Sequence, residues 1–151
     1  MENTSAKGIA LRMLSRRAHS EYELRDKLRK RGVSESEAED VCTWLREMGF
    51  LNDAQYSFAL TEHFARKGYG RGRIVSEFRR RGLERELWDE ALEGMPEADP
   101  FIDRFLASRL RNPGDAAERR RLSEALLRRG FSLEEIRSAF LRIAEKAEDY
   151  N

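Results

Sequence analysis

Nearly the same five residues recur three times along the chain, as Arg29-Lys30-Arg31-Gly32-Val33, Arg79-Arg80-Arg81-Gly82-Leu83 and Leu127-Arg128-Arg129-Gly130-Phe131. Gly32, Gly82 and Gly130 follow one another at a nearly constant interval, so a chain of 151 residues holds three copies of one unit and little besides. A period of this size marks tandem units that are each too small to bury a core alone and must lean on their neighbours. Counting from each glycine carries the match into the flanking sequence. Eight residues before it stand Leu24, Ile74 and Leu122, and four before it Leu28, Phe78 and Leu126. Nine residues after it stand Val41, Ala91 and Ala139, and ten after it Cys42, Leu92 and Phe140.

Apolar residues spaced three to four apart predict helices throughout. The first is expected over residues 9–18, through Ile9, Ala10, Met13 and Leu14. Ser20 with Glu23 makes a capping box for a helix over 21–31, and Gly32 supplies the positive φ that ends it. Ser34 with Glu37 starts a third helix, which buries Ala38, Val41, Cys42 and Leu45 and stops at Gly49. The second unit opens at Asn52-Asp53, which can cap a helix over 54–67 containing Tyr56, Ala59, Leu60 and Phe64. Past the loop Gly68-Tyr69-Gly70-Arg71-Gly72, a helix with Ile74 and Phe78 reaches Gly82, and another holds Leu87, Trp88, Ala91 and Leu92. Asp99-Pro100 reads as an N-cap and first helical position for a helix burying Phe101, Phe105, Leu106 and Leu110. Asp115 with Glu118 caps the next, through Leu122 and Leu126, and Ser132 with Glu135 the last, through Ile136, Ala139, Phe140 and Ile143. The expected fold is therefore all-α: three tandem three-helix repeats over 9–50, 52–95 and 99–147, in an elongated or curved helical array.

Mean hydropathy of −0.76 and the lack of any run of about 18 apolar residues argue against a membrane protein. Met1 to Gly8 lack the apolar core of a signal peptide, and the lone Cys42 leaves no internal disulfide, so a cytoplasmic setting is expected. The net charge of +1 conceals a sorting of charge along each repeat. Between Arg66 and Arg85 stand eight basic residues against two acidic ones, whereas residues 86–97 hold five carboxylates and no cation. Cations in the last turn of a helix favour its dipole, by roughly 0.3–1 kcal/mol each. That does not account for Arg71, Arg73, Arg119, Arg120 and Arg121, which stand where a middle helix begins and the dipole disfavours them. Their placement points to an anion outside the chain.

On a helical wheel with Leu24, Ile74 or Leu122 at zero, the buried direction falls between the two apolar positions of each middle helix, at about 20°. Lys30, Arg80 and Arg128 point almost opposite, at about 240°. Arg73 and Arg121 lie beside them, at about 260°, each seven residues before an arginine of that set. In the first unit the equivalent residue is Glu23, so units two and three are expected to bind a polyanion better. The candidate contacts are Lys30, Arg71, Arg73, Arg79, Arg80, Arg81, Arg120, Arg121, Arg128 and Arg129, and phosphate backbones are the obvious ligand. Tyr69 either stacks on an exposed base or packs back behind its glycine. Trp44, off the shared core register, is expected at a contact between units. His19 and His63 share no ligand spacing with Cys42, no phosphate-cradling G-x-x-x-x-G-K-[ST] stretch occurs, and no nucleophile has a plausible base. The reading is of a protein that is not an enzyme and carries no cofactor or metal.

Ala10-x-x-x-Leu14-x-x-Arg17, followed by Ser20-x-x-Glu23-Leu24 and Leu28-Arg29-Lys30-Arg31-Gly32-Val33, resembles the RecX family of recombination regulators. So do Met48-Gly49-Phe50-Leu51-Asn52-Asp53-Ala54 and Gly72-Arg73-Ile74 with Phe78-Arg79-Arg80-Arg81-Gly82-Leu83. The likeness covers residues 9–95, and in the third unit rests on Leu126, Arg128, Arg129, Gly130 and Phe131. Asn52 stands where the family usually has an acidic residue, and Asn112-Pro113-Gly114 alters the loop of unit three. The resemblance implies a small cytoplasmic bacterial protein whose partners are the RecA recombinase filament and single-stranded, or double-stranded, DNA; a monomer is expected. Such proteins lie in the filament groove and mostly inhibit strand exchange, ATP hydrolysis and co-protease activity in DNA repair and the SOS response. The alternative is a stand-alone DNA-binding protein of helix-turn-helix-like repeats with no recombinase partner.

Overall fold

One helix terminus recurs through the molecule. The computed structural model describes residues 5–149, and helix α2 (Glu21–Lys30) ends in Gly32 at φ 85°. There the Val33 N–H donates to the Leu28 carbonyl and the Gly32 N–H to the Arg29 carbonyl, each at 3.0 Å. The same pair of bonds closes α3 (Glu35–Glu47), α4 (Asp53–Arg66), α5 (Arg71–Arg80) and α8 (Ala116–Arg128), at Gly49, Gly68, Gly82 and Gly130. This arrangement satisfies carbonyls that the helix leaves without partners, and it turns the chain sharply enough for the next helix to begin within a few residues. The other helices are α1 (Ala6–Arg16), α6 (Trp88–Leu92, entered through a 3-10 turn at Arg85–Leu87), α7 (Ala98–Arg109) and α9 (Leu133–Asp149). No strand occurs among the described residues. Of the leader reading for Met1–Gly8, the first four residues lie outside the described range.

Helix starts are fixed by side chains. Ser20 and Ser132 form reciprocal capping boxes with Glu23 and Glu135. Ser34 accepts from the Glu37 N–H, and Asn52 from the Gln55 N–H, so an amide fills the cap where a carboxylate was the expected family residue. At α8 the box is broken. Asp115 accepts from Ala117 and Glu118, but the buried Glu118 carboxylate turns away to the N–H groups of Arg111 and Asn112 and holds the Asn112-Pro113-Gly114 loop instead. Other boundaries also moved. Helix α1 starts three residues earlier than the apolar spacing suggests, because Ser5 caps it. Helix α7 starts at Ala98, ahead of the expected Asp99 cap; Pro100 then sits within the first turn, where its missing N–H costs nothing.

The chain divides into two compact units, one of residues 5–61 and 77–94, the other of residues 62–76 and 95–149. The division therefore runs inside α4 and α5. In the first unit α1, α2 and α3 pack on one another around Ala10, Leu24, Leu28, Val41, Cys42 and Leu45, all at most 3% exposed. In the second, α7, α8 and α9 enclose Ile102, Leu106, Leu126, Ile136 and Ala139. Ile102, fully buried, escaped the sequence reading, and of the apolar residues of α4, Tyr56, Leu60 and Phe64 are buried whereas Ala59 is exposed. Trp44 lies against the first core, with the Lys7 ammonium 4.5 Å above its ring.

Each unit also contains one equivalent docking contact. In the first, Ser20 Oγ donates to the Arg81 carbonyl, and Gly82 meets Tyr22 so closely that an added Cβ would lie 2.2 Å from the ring. In the second, Gly70 N–H donates to the Arg129 carbonyl at 2.7 Å and Gly72 N–H to the Gly130 carbonyl at 3.0 Å. Ser20 and Gly70 hold the same position ahead of their own terminal glycines, Gly32 and Gly82, so the capped end of one middle helix seats on the start of the preceding one in the same way twice.

Candidate anion-binding surfaces

In the first unit the helical-wheel angles place Lys30 and Arg80 correctly. Their side chains are 72% and 67% exposed, each steadied by a carboxylate on its own helix: Lys30 by Asp26 at 3.0 Å and Arg80 by Glu77 at 2.7 Å. The Lys30–Asp26 pair, largely in solvent, contributes about 0–1 kcal/mol and leaves the ammonium open to a stronger anion, whereas Arg80 is held by a buried carboxylate. Arg79 is exposed, with its guanidinium 5.4 Å from the centre of the Trp88 ring. Arg81 is different. It lies inside, 17% exposed, with Nε 3.1 Å from Glu77 and Nη1 2.5 Å from the Tyr56 hydroxyl, which itself donates to Glu23 at 3.0 Å. Burial would raise the Glu77 carboxyl, but hydrogen bonds from Arg80 and Arg81 outweigh it and hold the group below its ordinary range. The wheel explains the exception: seven residues from Ile74, Arg81 points about 40° from the buried direction. Glu23, which stands in the first repeat where the other two have Arg73 and Arg121, is committed to the same network through its cap, Arg17 and Tyr56.

Arg129 in the second unit shares the register of Arg81 and is half-buried too. Its guanidinium lies 5.8 Å from the Tyr69 and Phe101 ring centres, and its Nη1 faces the Gly68 carbonyl at 3.4 Å. Tyr69 packs back behind Gly68, edge-on to Phe64 at 5.8 Å, and carries the Arg73 guanidinium 4.7 Å above its face. It is thus a seat for two cations, held by cation–π attraction, instead of an open platform for a base. Arg73 is half-buried as a result, and Arg71 is exposed beside it. Of the arginines set against the α8 dipole, Arg119 donates to the Pro113 carbonyl at 2.5 Å and so has a local role. Arg120, Arg121 and Arg128 are exposed and pair with no carboxylate among the described residues. Arg121 and Arg128, seven residues apart on α8, form the clearest uncompensated cationic stripe.

Three or more His, Cys, Asp or Glu side chains come together nowhere among the described residues in a way that could hold a metal, and no described helix is long and apolar enough to cross a membrane. Cys42 is buried, and burial pushes its thiol above the ordinary value.

A helical protein of three-helix domains joined at glycine caps, with arginines turned outward, is the class these features define. The family model for the first three-helix domain of RecX matches residues 6–45, and that for the second matches residues 52–92. The Regulatory protein RecX of Ectopseudomonas mendocina is 38% identical, over 84% of this chain and 87% of that one. Its counterpart in Halorhodospira halophila is 33% identical, over 89% and 86%. The chain belongs to the RecX family. The crystal structure of RecX from Lactobacillus salivarius shares the fold at a TM-score of 0.82, with 19% identity over 92% of this chain and 94% of that one.

Proposed function

We propose that the chain is a non-catalytic regulator that binds the RecA filament and single-stranded DNA and restrains RecA-dependent strand exchange and ATP hydrolysis in the cytoplasm. Three tandem modules, 9–50, 52–95 and 99–147, carry this role, with the second and third supplying the main phosphate contacts. Membership of the RecX regulatory family supports the partner. The observation that carries the anion contact is the exposed, uncompensated pair Arg121 and Arg128 on α8, with Arg120 beside it. Arg71, Arg73, Arg79, Arg80 and Lys30 add to it. Arg81 and Arg129 hold the modules in place and do not reach a ligand.

The test is RecA ATPase activity and filament length on single-stranded DNA with substoichiometric protein. The expected result is a several-fold slower hydrolysis and shorter filaments, and Arg121→Glu with Arg128→Glu should relieve most of both. Hydrolysis and filament length that do not respond to the unmodified protein sink the reading. Retained oligonucleotide binding in that case leaves a stand-alone DNA-binding protein.

A further inference from the structure

A second cationic feature lies in the first unit, away from the arginines of α5 and α8. Between the end of α1 and the outer face of α2 is a concavity lined by Arg16, Arg17, His19, Lys27, Lys30 and Arg31, with Met13 at one side. Five of these side chains are cationic and none of the lining residues is acidic. Two are partly offset from outside the lining, Arg17 by Glu23 at 3.0 Å and Lys30 by Asp26 at 3.0 Å. Arg16, Lys27 and Arg31 have no carboxylate partner among the described residues.

The wall of the concavity is built. His19 is only 4% exposed, its Nδ1 is 3.0 Å from the Arg17 carbonyl, and its Nε2 is 2.8 Å from Lys27 Nζ. Those partners fix the tautomer, with Nδ1–H donating to the carbonyl and Nε2 accepting from the ammonium, so the ring is neutral. Lys27 is thereby pointed by a neutral ligand and forms no ion pair among the described residues, Glu23 acting on it only from a distance. Burial and the facing charges of Arg17 and Lys27 push the imidazole down, and burial with Arg17 pushes Lys27 down as well. Five cations crowded against two carboxylates, Glu23 and Asp26, carry an excess of positive charge that an anion joining them would relieve.

We propose that this concavity binds a phosphate group, with Arg16, Lys27 and Arg31 as the contacts and His19 as the residue that positions Lys27. The family's arginine-glycine repeat does not predict the site, since of its residues only Lys30 and Arg31 belong to that repeat. Two sources share the chemistry, a phosphodiester of a nucleic-acid strand and a small free phosphate.

The experiment follows the His19 ring resonances by NMR at neutral pH and constant ionic strength, with His63 as the exposed reference. Probes are inorganic phosphate and an oligothymidylate without a terminal phosphate. A saturable shift of His19, with His63 still, is expected with at least one probe. The responding probe names the source: inorganic phosphate alone means a small phosphate, and the oligonucleotide, with or without it, means a strand. Arg16→Ala with Arg31→Ala, both at exposed positions, should weaken the binding about tenfold. Arg121→Gln with Arg128→Gln should weaken oligothymidylate binding overall but leave the size of the His19 shift at saturation unchanged, which separates this site from the α8 stripe. No saturable shift with either probe, or an unchanged titration in the Arg16/Arg31 variant, overturns the proposal.

Discussion

Two glycines with the same backbone role differ in what surrounds them, and that difference fixes what a methyl group would do. Gly32 has φ 85° and nothing within 4 Å of an added Cβ. Gly130 has φ 98°, and its added Cβ would lie 2.3 Å from the Arg73 backbone nitrogen, an atom fixed by the first turn of α5. Gly32→Ala should therefore cost only the left-handed backbone term, about 1 kcal/mol. Gly130→Ala adds an overlap that cannot be relieved by a side-chain rotation and should cost a further 1–3 kcal/mol or so, roughly the penalty of overpacking. Urea unfolding of the two variants checks this, and equal losses would mean that the docking of Gly130 on the glycine loop contributes nothing. Nothing in the sequence separates these two glycines, since their local motifs are the same and the distinguishing neighbour, Arg73, belongs to another copy of the repeat.

Among elements, the helix N-termini show where local signals succeed and where they stop. Ser20 and Ser132 have the same S-x-x-E signature and form the same box, as the sequence suggests. Only Ser20 is also buried and donates to the Arg81 carbonyl of another helix. Ser132→Ala should lose a cap, about 1 kcal/mol. Ser20→Ala loses the cap and strands a buried carbonyl, adding roughly 1–3 kcal/mol. Thermal denaturation should place Ser20→Ala well below Ser132→Ala, and matching midpoints would remove the docking contact from the stability of the first unit. Glu118 shows the converse: D-x-x-E predicts a box, but Asn112-Pro113-Gly114 leaves the Arg111 and Asn112 N–H groups unpaired, and their demand wins the carboxylate. Periodicity located the helices because each has one apolar face. The same wheel that turns Lys30, Arg80 and Arg128 outward sets Arg81 and Arg129 about 40° from the buried direction, which is why both are half-buried.

For the molecule as a whole, a balanced composition and a cationic function are compatible because carboxylates are spent on internal work. Glu77, Glu23 and Glu118 are consumed by Arg81, Tyr56 and backbone N–H groups, and Asp103 by Arg142 at 2.7 Å. Arg120, Arg121 and Arg128 therefore face solvent with no ion pair among the described residues, although the net charge is +1. If these arginines neutralise phosphates, affinity for a single strand must fall with salt, by about 0.7 in log–log slope for each phosphate contacted. Neutral replacement of two contacts, Arg121→Gln with Arg128→Gln, should make the slope shallower by roughly 1.4, whereas a side chain that merely confers solubility leaves it unchanged. Titration of oligothymidylate by fluorescence anisotropy across a salt series measures the slope directly. Because it counts counterions released rather than total affinity, a variant that lost binding through misfolding would weaken the complex without this defined change in slope. An unaltered slope at full folding would take the α8 stripe out of the interface and leave the strand to other cations of the chain.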